Sequence, residues 1–193
     1  MFQELILASK NPGKIEEFNK LLAPMNIRVR SALELELPDV IEDRDTFSGN
    51  AAKKAEEIAA ATGLPSLADD SGLCVHTIDG RPGVFSARYG GYDRLLEELA
   101  AHPEDEHPAH FMCVLALSVP GEETRLYEGR VDGTIAPEPR GTHGFGYDPV
   151  FIPKGQTQTF GEIDPAVKQT MSHRARALQA FVADMAERSV KTA

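Results

Sequence analysis

The sequence predicts an α/β fold, in which helices and paired strands share one long mixed sheet. An apolar run at residues 3–8 indicates a buried strand, because turn residues follow it at once. The alanine-rich stretch at 46–62 is typical of a helix, and the runs at 110–119 and 124–135, joined by PGEE, predict a strand pair. No repeat or linker interrupts the chain, so we expect one domain over residues 1–193.

Caps and hydrophobic spacing place the first elements in order. Asn11 and Pro12 indicate a helix start, because asparagine caps helices and proline is tolerated at the first helical position. That helix is predicted to run to about Leu22, and a strand is predicted near residues 27–29. An acidic loop, LELPDVIEDRD, then leads to the alanine-rich helix, which Gly63 ends.

The later elements carry weaker signals. Residues 66–80, SLADDSGLCVHTIDG, are predicted as two extended pieces around a turn at 69–72. Residues 92–101 suit a helix. Residues 172 to about 188 are predicted to form a last amphipathic helix, with Ser172 as its cap.

The overall charge argues against two classes of partner. Lys and Arg number 20 against 30 Asp and Glu, which gives a formal charge of −10. Such a surface disfavours non-specific binding to nucleic acid or anionic membranes, but it permits a small anion where cations gather locally. No apolar stretch reaches the roughly 18 residues that a membrane span needs, and MFQELILASKN lacks the features of a signal peptide. We therefore expect neither nucleic acid nor a membrane as a partner.

The cysteines and histidines predict no metal or disulfide chemistry. Cys74 and Cys113 lie in apolar surroundings, which predicts reduced, buried thiols and a cytoplasmic protein. In AHPEDEHPAH, the spacing of His102, His107 and His110 matches no common zinc pattern, and two prolines indicate a solvated loop.

The stretch ASKNPGK, residues 8–14, lies between a strand and a helix start, where unpaired N–H groups and the helix dipole favour an anion. Gly13 would let a phosphate approach the backbone, and Lys14 adds a positive charge. A P-loop is excluded, because Ala8 and Ile15 stand where it requires Gly and Ser or Thr. The motif alone leaves open a phosphate site or a capped turn with an exposed lysine.

The adjacent carboxylates Asp69 and Asp70 form a second candidate site. In an extended segment their side chains face opposite ways, so only one needs to point into a site. Mg²⁺ is held by one or two carboxylates plus phosphate oxygens, and Glu42 in the acidic loop is a plausible second ligand. Solvated turn residues are the alternative interpretation.

Two later stretches are candidates for binding a planar ligand. In GTHGFGYDPVF, residues 141–151, three glycines alternate with Phe145 and Tyr147, so backbone and rings can approach a flat molecule. The alternative interpretation is a tight turn whose aromatic side chains pack in the core, and the sequence does not distinguish the two. In KQTMSHRARAL, His173 and Arg174 lie at a helix start, where basic residues are unfavourable, which favours a functional role.

Six stretches together resemble the Ham1 family of inosine triphosphate pyrophosphatases, which hydrolyse noncanonical purine nucleoside triphosphates. They are SKNPGK, IEDRDTF followed by NAAKKA, LADDSGLCV, GRPGVFSARYGG, GFGYDPVF and SHRARAL, in the family's order over nearly the whole chain. The resemblance implies an elongated mixed α/β fold with two lobes around a central nucleotide-binding cleft. It also implies a homodimer and Mg²⁺ as the cofactor.

The resemblance further implies roles for individual residues. Glu42 and Asp70 would bind the metal, and Asp70 would be the general base. The residues expected to bind the triphosphate are Ser9, Lys10, Asn11, Pro12, Gly13, Lys14 and Lys54. Those expected to line the nucleotide and base pocket are Ser71, Phe145, Gly146, Tyr147, Asp148, Lys168, His173 and Arg174.

The chain departs from the family pattern at three positions. Gly49 stands where the family usually has Glu before the Asn of its TFxENA segment, which leaves the local helix in question. Gly161 replaces the usual Ala in TFGEI, and His110 replaces a basic residue. None of these changes removes a residue that the chemistry needs.

The implied reaction converts ITP, dITP or XTP to the monophosphate and pyrophosphate. One alternative is a Maf-type pyrophosphatase, which shares the fold but prefers other bases; GFGYDP and SHR disfavour it. The other is a noncatalytic nucleotide-binding sensor, which the retained Glu42 and Asp70 disfavour.

Overall fold

The computed structural model describes residues 3–37, 39–102 and 106–191. Its elements follow in the order β1 (Glu4–Leu7), α1 (Pro12–Leu22), β2 (Arg28–Ser31), α2 (Phe47–Thr62), β3 (Ser66–Val75), β4 (Arg81–Pro82), α3 (Gly91–Leu99), β5 (Pro108–Ser118), β6 (Arg125–Ile135), β7 (Phe151–Pro153), α4 (Pro165–Met171) and α5 (His173–Lys191). Short 3₁₀ turns lie at Ala23–Met25, His76–Ile78, Gly83–Arg88 and Asp148–Val150.

The strands of the described residues form one mixed sheet. Its order is β2-β1-β3-β5-β6-β7, and β4 pairs with β3. β1 runs parallel to both β2 and β3, whereas β4 is antiparallel to β3 and β7 to β6. The predicted α/β fold with a long mixed sheet and flanking helices is therefore confirmed.

The chain divides into two compact units, each with its own core. The first comprises the described residues within Met1–Asp70, Cys113–Glu128 and Ala175–Ala193. Its core joins apolar side chains of β1, β3, β5, α1 and α5. Its fully or nearly fully buried members include Leu5, Leu7, Phe18, Leu22, Leu67, Leu115, Leu117, Ala177 and Phe181. Alternate residues of a strand, such as Leu5 and Leu7, face the same side of the sheet, and the apolar positions of the helices pack against that side.

The second unit comprises the described residues within Ser71–Met112 and Gly129–Arg174. Its core is rich in aromatic rings. Phe111 contacts Phe151 edge-on, with ring centroids 4.6 Å apart, and Phe151 lies 5.4 Å from Phe160. Aromatic pairs of this kind contribute about 0.5–1.5 kcal/mol each beyond the area that they bury.

The prediction of a turn at residues 69–72 is wrong, because β3 continues without a break from Ser66 to Val75. Asp and Ser favour turns when their side chains bond to nearby backbone. Here the two carboxylates instead bind side chains from other elements: Lys14 contacts Asp69, and Asn50 contacts Asp70. These distant partners satisfy the carboxylates within a buried strand.

The elements α4, β4 and β7 were not predicted. α4 is only seven residues long, too short for a hydrophobic period, although Asp164 caps it by accepting from the N–H of Ala166 at 2.7 Å. Ser172, predicted to cap the last helix, is the C-cap of α4, and α5 begins at His173.

The helix α2 forms although Gly49 replaces the family's usual glutamate. Thr46 caps the helix by accepting from the N–H of Gly49 at 3.0 Å, and Gly63 ends it with a φ of 70°. A glutamate at position 49 would complete a capping box with Thr46. The threonine half of that box is intact here, so the helix start does not depend on the missing carboxylate.

The histidine-rich segment is only partly a loop. Residues 103–105 lie outside the described residues, and His110 belongs to β5, where its Nδ1 lies 3.0 Å from Nε2 of His76. Cys74 and Cys113 are buried and form no disulfide, as predicted. Within the described part of the chain, no helix is long and apolar enough to cross a membrane.

Candidate functional site

The segment between β1 and α1 has the geometry of a capped helix start. Asn11 accepts from the N–H of Lys14 at 3.2 Å, and the N–H of Asn11 bonds to the hydroxyl of Ser9 at 3.2 Å. Pro12 occupies the first helical turn, as predicted. The first turn of α1 therefore presents backbone N–H groups and the positive end of the helix dipole.

Parallel pairing of β1 with β3 places this helix start beside the two aspartates. The N–H of Ala8 bonds to the carbonyl of Leu67 at 2.8 Å, so the end of β1 is level with the residues before Asp69. Nζ of Lys14 then lies 3.0 Å from the carboxylate of Asp69, whose side chain is 1% exposed. Lys10 instead pairs with the exposed Asp39.

A second cation approaches the same carboxylates from α2. Nζ of Lys54 forms a short ion pair with Glu42. Burial acts to lower the pKa of Lys54, but the charges of Asp69, Glu42 and Asp70 outweigh it and the pKa is raised. Lys54 therefore remains positively charged within the cluster.

Asp70 is a buried carboxylate of this cluster whose pKa is raised. Its residue is 5% exposed, and burial raises its pKa to about 6, although Lys54 and a hydrogen bond from Asn50 act in the opposite direction. Nδ2 of Asn50 donates to Oδ2 of Asp70 at 2.9 Å. A carboxylate with a pKa near neutral and a buried position is suited to accept a proton.

The oxygen donors of this cluster fit a hard divalent cation. Glu42 and Asp70 interact electrostatically, and each offers carboxylate oxygens, which Mg²⁺ prefers. Within the described residues, no group of three or more His, Cys, Asp and Glu side chains could hold a metal. Mg²⁺ does not need one, because it is commonly bound by one or two carboxylates plus waters and substrate phosphates.

In the second unit, a buried ion pair organises the glycine-rich loop. Nζ of Lys168 lies 2.7 Å from Oδ2 of Asp148, and the two side chains are 7% and 4% exposed. The same oxygen accepts from the N–H of Phe145 at 2.8 Å. Asp148 thereby fixes the loop backbone and the lysine together.

Two cations lie near the ring of Phe145. Nζ of Lys168 is 5.4 Å from its centroid, and the guanidinium carbon of Arg174 is 5.9 Å away. Arg174 is 2% exposed and donates to the hydroxyl of Ser71 at 3.0 Å. In such an arrangement the ring can stack on a flat molecule, and the buried donors can form hydrogen bonds with the polar edge of that molecule.

Two other predicted residues of this unit are deeply packed. His173 is 5% exposed and stacks on Phe111, with ring centroids 4.6 Å apart. The ring of Tyr147 belongs to the aromatic core, and its hydroxyl donates to the carbonyl of Ser86 at 2.8 Å. The interpretation of this loop as a turn with core aromatics therefore describes Tyr147, whereas Phe145 is only half-buried.

Gly161 has a close-packing role that explains its departure from the family's alanine. Its N–H bonds to the carbonyl of Asp148 at 2.9 Å. A Cβ at Gly161 would lie 2.6 Å from the carbonyl oxygen of Arg140 and 2.9 Å from Cα of Pro149. The backbone on either side of the glycine-rich loop thus approaches too closely for a side chain.

The structure groups the predicted residues into two clusters, one in each unit. The first contains carboxylates, cations and a helix start: Ser9, Asn11, Pro12, Gly13, Lys14, Glu42, Lys54 and Asp70. The second contains buried cations around an aromatic ring: Ser71, Phe145, Asp148, Lys168 and Arg174. Lys10 is directed to a surface carboxylate instead.

The contacts of two members of the first cluster are not predicted by the sequence. Asp69 belongs to the candidate carboxylate pair, but its burial and its contact with Lys14 appear only in the structure. The sequence analysis assigns no role to Asn50, although this polar residue of an alanine-rich helix lies one turn before Lys54, on the same helix face. Its partner Asp70 lies 20 residues away, so only the fold discloses the contact.

Comparison with known proteins gives matches over almost the whole chain. The sequence model of the Ham1 family matches residues 5–184. A dITP/XTP pyrophosphatase of Gluconobacter oxydans is 48% identical over 187 residues, which cover 93% of this chain and 89% of the relative. A dITP/XTP pyrophosphatase of Bacillus subtilis is 44% identical over 188 residues, which cover 93% and 95% respectively.

Solved structures agree in fold. A HAM1 protein from Coxiella burnetii has a TM-score of 0.87 and 39% identity, covering 97% of this chain and all (100%) of that chain. The nucleoside-triphosphatase, or dITP/XTP pyrophosphatase, of Mycobacterium abscessus has a TM-score of 0.74 and 38% identity, covering 92% and 98%.

Proposed function

The chain belongs to the Ham1 family, and from this premise we propose that it hydrolyses the noncanonical purine nucleoside triphosphates ITP, dITP and XTP. The products are the nucleoside monophosphate and pyrophosphate. The observation that carries the proposal is the buried Asp70 among Lys14, Lys54 and Glu42, beside a helix start. The named activity of the relatives, dITP/XTP pyrophosphatase, supports the same reaction.

The first cluster is assigned to the triphosphate. Ser9, Asn11 and Lys14 lie at the start of α1, where N–H groups and the dipole favour phosphate oxygens. Lys14 and Lys54 supply positive charge to the pyrophosphate as it leaves. Pro12 and Gly13 contribute the backbone of this turn, and Lys10 remains a proposed contact at its edge.

Mg²⁺ is the proposed cofactor, with Glu42 and Asp70 as its protein ligands. When bound, it supplies orientation of the triphosphate and neutralisation of the charge that develops on its oxygens. The ion pair between Lys54 and Glu42 keeps this carboxylate in place within the unit.

Asp70 is the proposed general base. Its carboxylate accepts a proton from a water molecule, whose oxygen attacks the α-phosphorus. The bond from that phosphorus to the oxygen bridging the α- and β-phosphates breaks, and pyrophosphate leaves with the electron pair. The raised pKa of Asp70, about 6, suits this task, because the group is ionised at neutral pH and still basic.

The second cluster is assigned to the base. Phe145 offers a ring face, and Arg174 and His173 offer donors for the oxygen at position 6 of hypoxanthine or xanthine. Gly146 and the backbone of Tyr147 belong to the same loop, and Lys168 and Ser71 border it. Adenine presents an amino group at that position, which would leave buried donors unpaired.

Pyrophosphate release from ITP, XTP, dITP, GTP and ATP with Mg²⁺ tests the proposed function. Each unpaired donor costs roughly 1–3 kcal/mol, so kcat/KM for ITP should exceed that for ATP by at least about 10-fold. Rejection of GTP must come from its 2-amino group, because guanine also carries the oxygen. Equal cleavage of ATP and ITP would refute base reading by this cluster.

The same panel separates the two alternatives. A Maf-type enzyme would prefer bases other than hypoxanthine and xanthine, and a noncatalytic sensor would bind ITP without releasing pyrophosphate. Magnesium-dependent release from ITP would exclude the sensor. Preferential cleavage of other bases would favour the Maf-type enzyme.

We also propose that residues 1–193 act as one domain in a cytoplasmic homodimer. Phe85, within GRPGVFSARYGG, is 53% exposed, and the guanidinium of Arg88 lies 5.0 Å from its ring centroid. An exposed aromatic side chain in such a segment is typical of a protein interface. The two buried cysteines, which form no disulfide, support a reducing compartment.

Light scattering at micromolar concentration is expected to give about twice the chain mass of 21.0 kDa. Phe85→Arg should shift the mass to that of one chain, because it replaces the exposed ring at the proposed interface by a second positive charge beside Arg88. Leu126→Arg is a matched control, since Leu126 is 46% exposed and lies in the other unit. A parent protein with only the single-chain mass would contradict the homodimer.

A further inference from the structure

The side chain of Asn50, near the start of α2, connects two parts of the first cluster. The residue is 1% exposed. Its Oδ1 accepts from the N–H of Arg44 at 2.9 Å, and its Nδ2 donates to the carbonyl of Arg44 at 3.2 Å and to Oδ2 of Asp70 at 2.9 Å. A single amide therefore ties the acidic loop to the proposed base.

The contact with Arg44 fixes which way round the amide lies. A backbone N–H can only donate, so it requires the oxygen of Asn50, and the nitrogen must then face Asp70. Both hydrogens of Nδ2 have acceptors, one on the loop and one on the carboxylate. A flipped amide would lose these bonds and would set its oxygen against the oxygen of Asp70.

The bonds of Asn50 act on both proposed metal ligands. Glu42 lies two residues before Arg44 in the acidic loop, so fixing the backbone of Arg44 restricts the position of Glu42. Lys54 lies one helical turn after Asn50 and pairs with Glu42. One face of α2 thus holds the loop at two points and Asp70 at a third.

Resting on the proposed function, we propose that Asn50 is a positioning residue for hydrolysis. Its amide holds Oδ2 of Asp70, so that the other oxygen of the carboxylate is directed to the cation and the attacking water. It also sets the spacing between Asp70 and Glu42. Groups that orient metal ligands in this way commonly change metal affinity or activity by about 10–100-fold when they are removed.

Two substitutions separate the two contacts. Asn50→Leu removes both the bond to the loop and the bond to Asp70. Asn50→Asp retains an oxygen for the N–H of Arg44 but places a carboxylate oxygen against Asp70. Asn19→Leu is a matched control, because Asn19 is exposed on α1, where the same chemical change should have no effect.

The first readout is Mn²⁺ binding to the protein without nucleotide, measured by electron paramagnetic resonance of the free ion. We expect Asn50→Leu to weaken binding by about 10-fold or more, with Asn19→Leu unchanged. The second is steady-state hydrolysis of ITP at saturating metal and alkaline pH. There, kcat should fall by about 10–100-fold in both Asn50 variants, with KM for ITP changed far less.

Far-ultraviolet circular dichroism and thermal unfolding establish that each variant is folded at the assay temperature. Parent-like kcat and Mn²⁺ binding in a folded Asn50→Leu protein would overturn the proposal. Full activity in Asn50→Asp with loss in Asn50→Leu would also overturn it, because the amide would then brace only the loop. If the parent releases no pyrophosphate from ITP, the proposed function fails, while Mn²⁺ binding still tests the positioning role.

Discussion

Asp70→Asn is expected to lower pyrophosphate release from ITP by at least about 100-fold while the protein stays folded. The substitution keeps the shape of the side chain but removes the negative charge and the basic oxygen. Metal binding should weaken and water activation should fail. Ser9, Asn11 and Lys14 are unchanged, so the nucleotide should still bind.

Steady-state kinetics and equilibrium binding of ITP measure the two halves of this expectation. Asp39→Asn is the matched control, because it makes the same chemical change in an aspartate that pairs with Lys10 and whose side chain is 84% exposed. It should change kcat by less than about twofold, because exposed ion pairs contribute little. A folded Asp70→Asn protein with near-parent turnover would overturn the assignment of the base.

Asp69→Asn should differ from Asp70→Asn in kind. Asp69 contacts Lys14 rather than Asn50, so its loss should disturb the lysine assigned to the phosphates. We therefore expect a smaller fall in kcat and a larger relative rise in KM for ITP. The comparison distinguishes the two neighbouring carboxylates by role.

Asp70→Asn should raise the free energy of unfolding at neutral pH, although it lowers the activity. Burial raises the pKa of Asp70 to about 6 from 3.8, so its ionised form costs the folded state free energy at neutral pH. The folded protein binds the proton of Asp70 more tightly than the unfolded chain does. The stabilisation that results is fully present below pH 3.8 and is lost as the pH rises through about 6. Without metal, Asp70→Asn should thus be more stable than the parent above pH 6, by roughly 3 kcal/mol, and the difference should shrink toward pH 4.

Local signals predicted the elements that local chemistry determines. Asn11 and Pro12 predicted α1 because a cap and a fixed proline φ act within one turn of the chain. The alanine-rich sequence and Gly63 likewise predicted α2. The motif pattern also predicted the family, since it combines six weak signals in a fixed order.

Features that depend on distant partners escaped prediction. The turn expected at residues 69–72 is a buried strand, because Lys14 and Asn50 supply the partners that a turn would otherwise provide. Asn50 carries no local sign of its contact with Asp70, which only the packing of α2 against β3 creates. The short helix α4 lacks enough residues for a hydrophobic period, although its cap, Asp164, was visible.

The largest expected loss of stability concerns the buried pair of Asp148 and Lys168. Asp148→Asn removes the charge that neutralises the lysine, whose side chain is only 7% exposed. The new side chain can still accept from the N–H of Phe145, so the change isolates the ion pair. Breaking one partner of a buried pair costs about 3–5 kcal/mol, because an uncompensated charge stays in the interior.

A matched pair in the same unit supplies the control. Arg130 and Asp132 have the same 2.7 Å separation, but their side chains are 50% and 54% exposed. Asp132→Asn should therefore cost no more than about 1 kcal/mol in the free energy of unfolding. Urea unfolding of the two variants compares the same Asp→Asn change at the same distance, in a buried pair with lysine and in an exposed pair with arginine.

Lys168→Met completes the test, because it removes the buried cation that Asp148→Asn leaves behind. The double variant should be more stable than Asp148→Asn alone, since a neutral pair of similar volume carries no uncompensated charge. It should nevertheless bind ITP poorly, because Lys168 borders the ring of Phe145 assigned to the base. Equal losses for Asp148→Asn and Asp132→Asn would show that burial of the pair has no energetic consequence. Stability regained in the double variant without regained binding would separate the folding role of this pair from its role in the pocket.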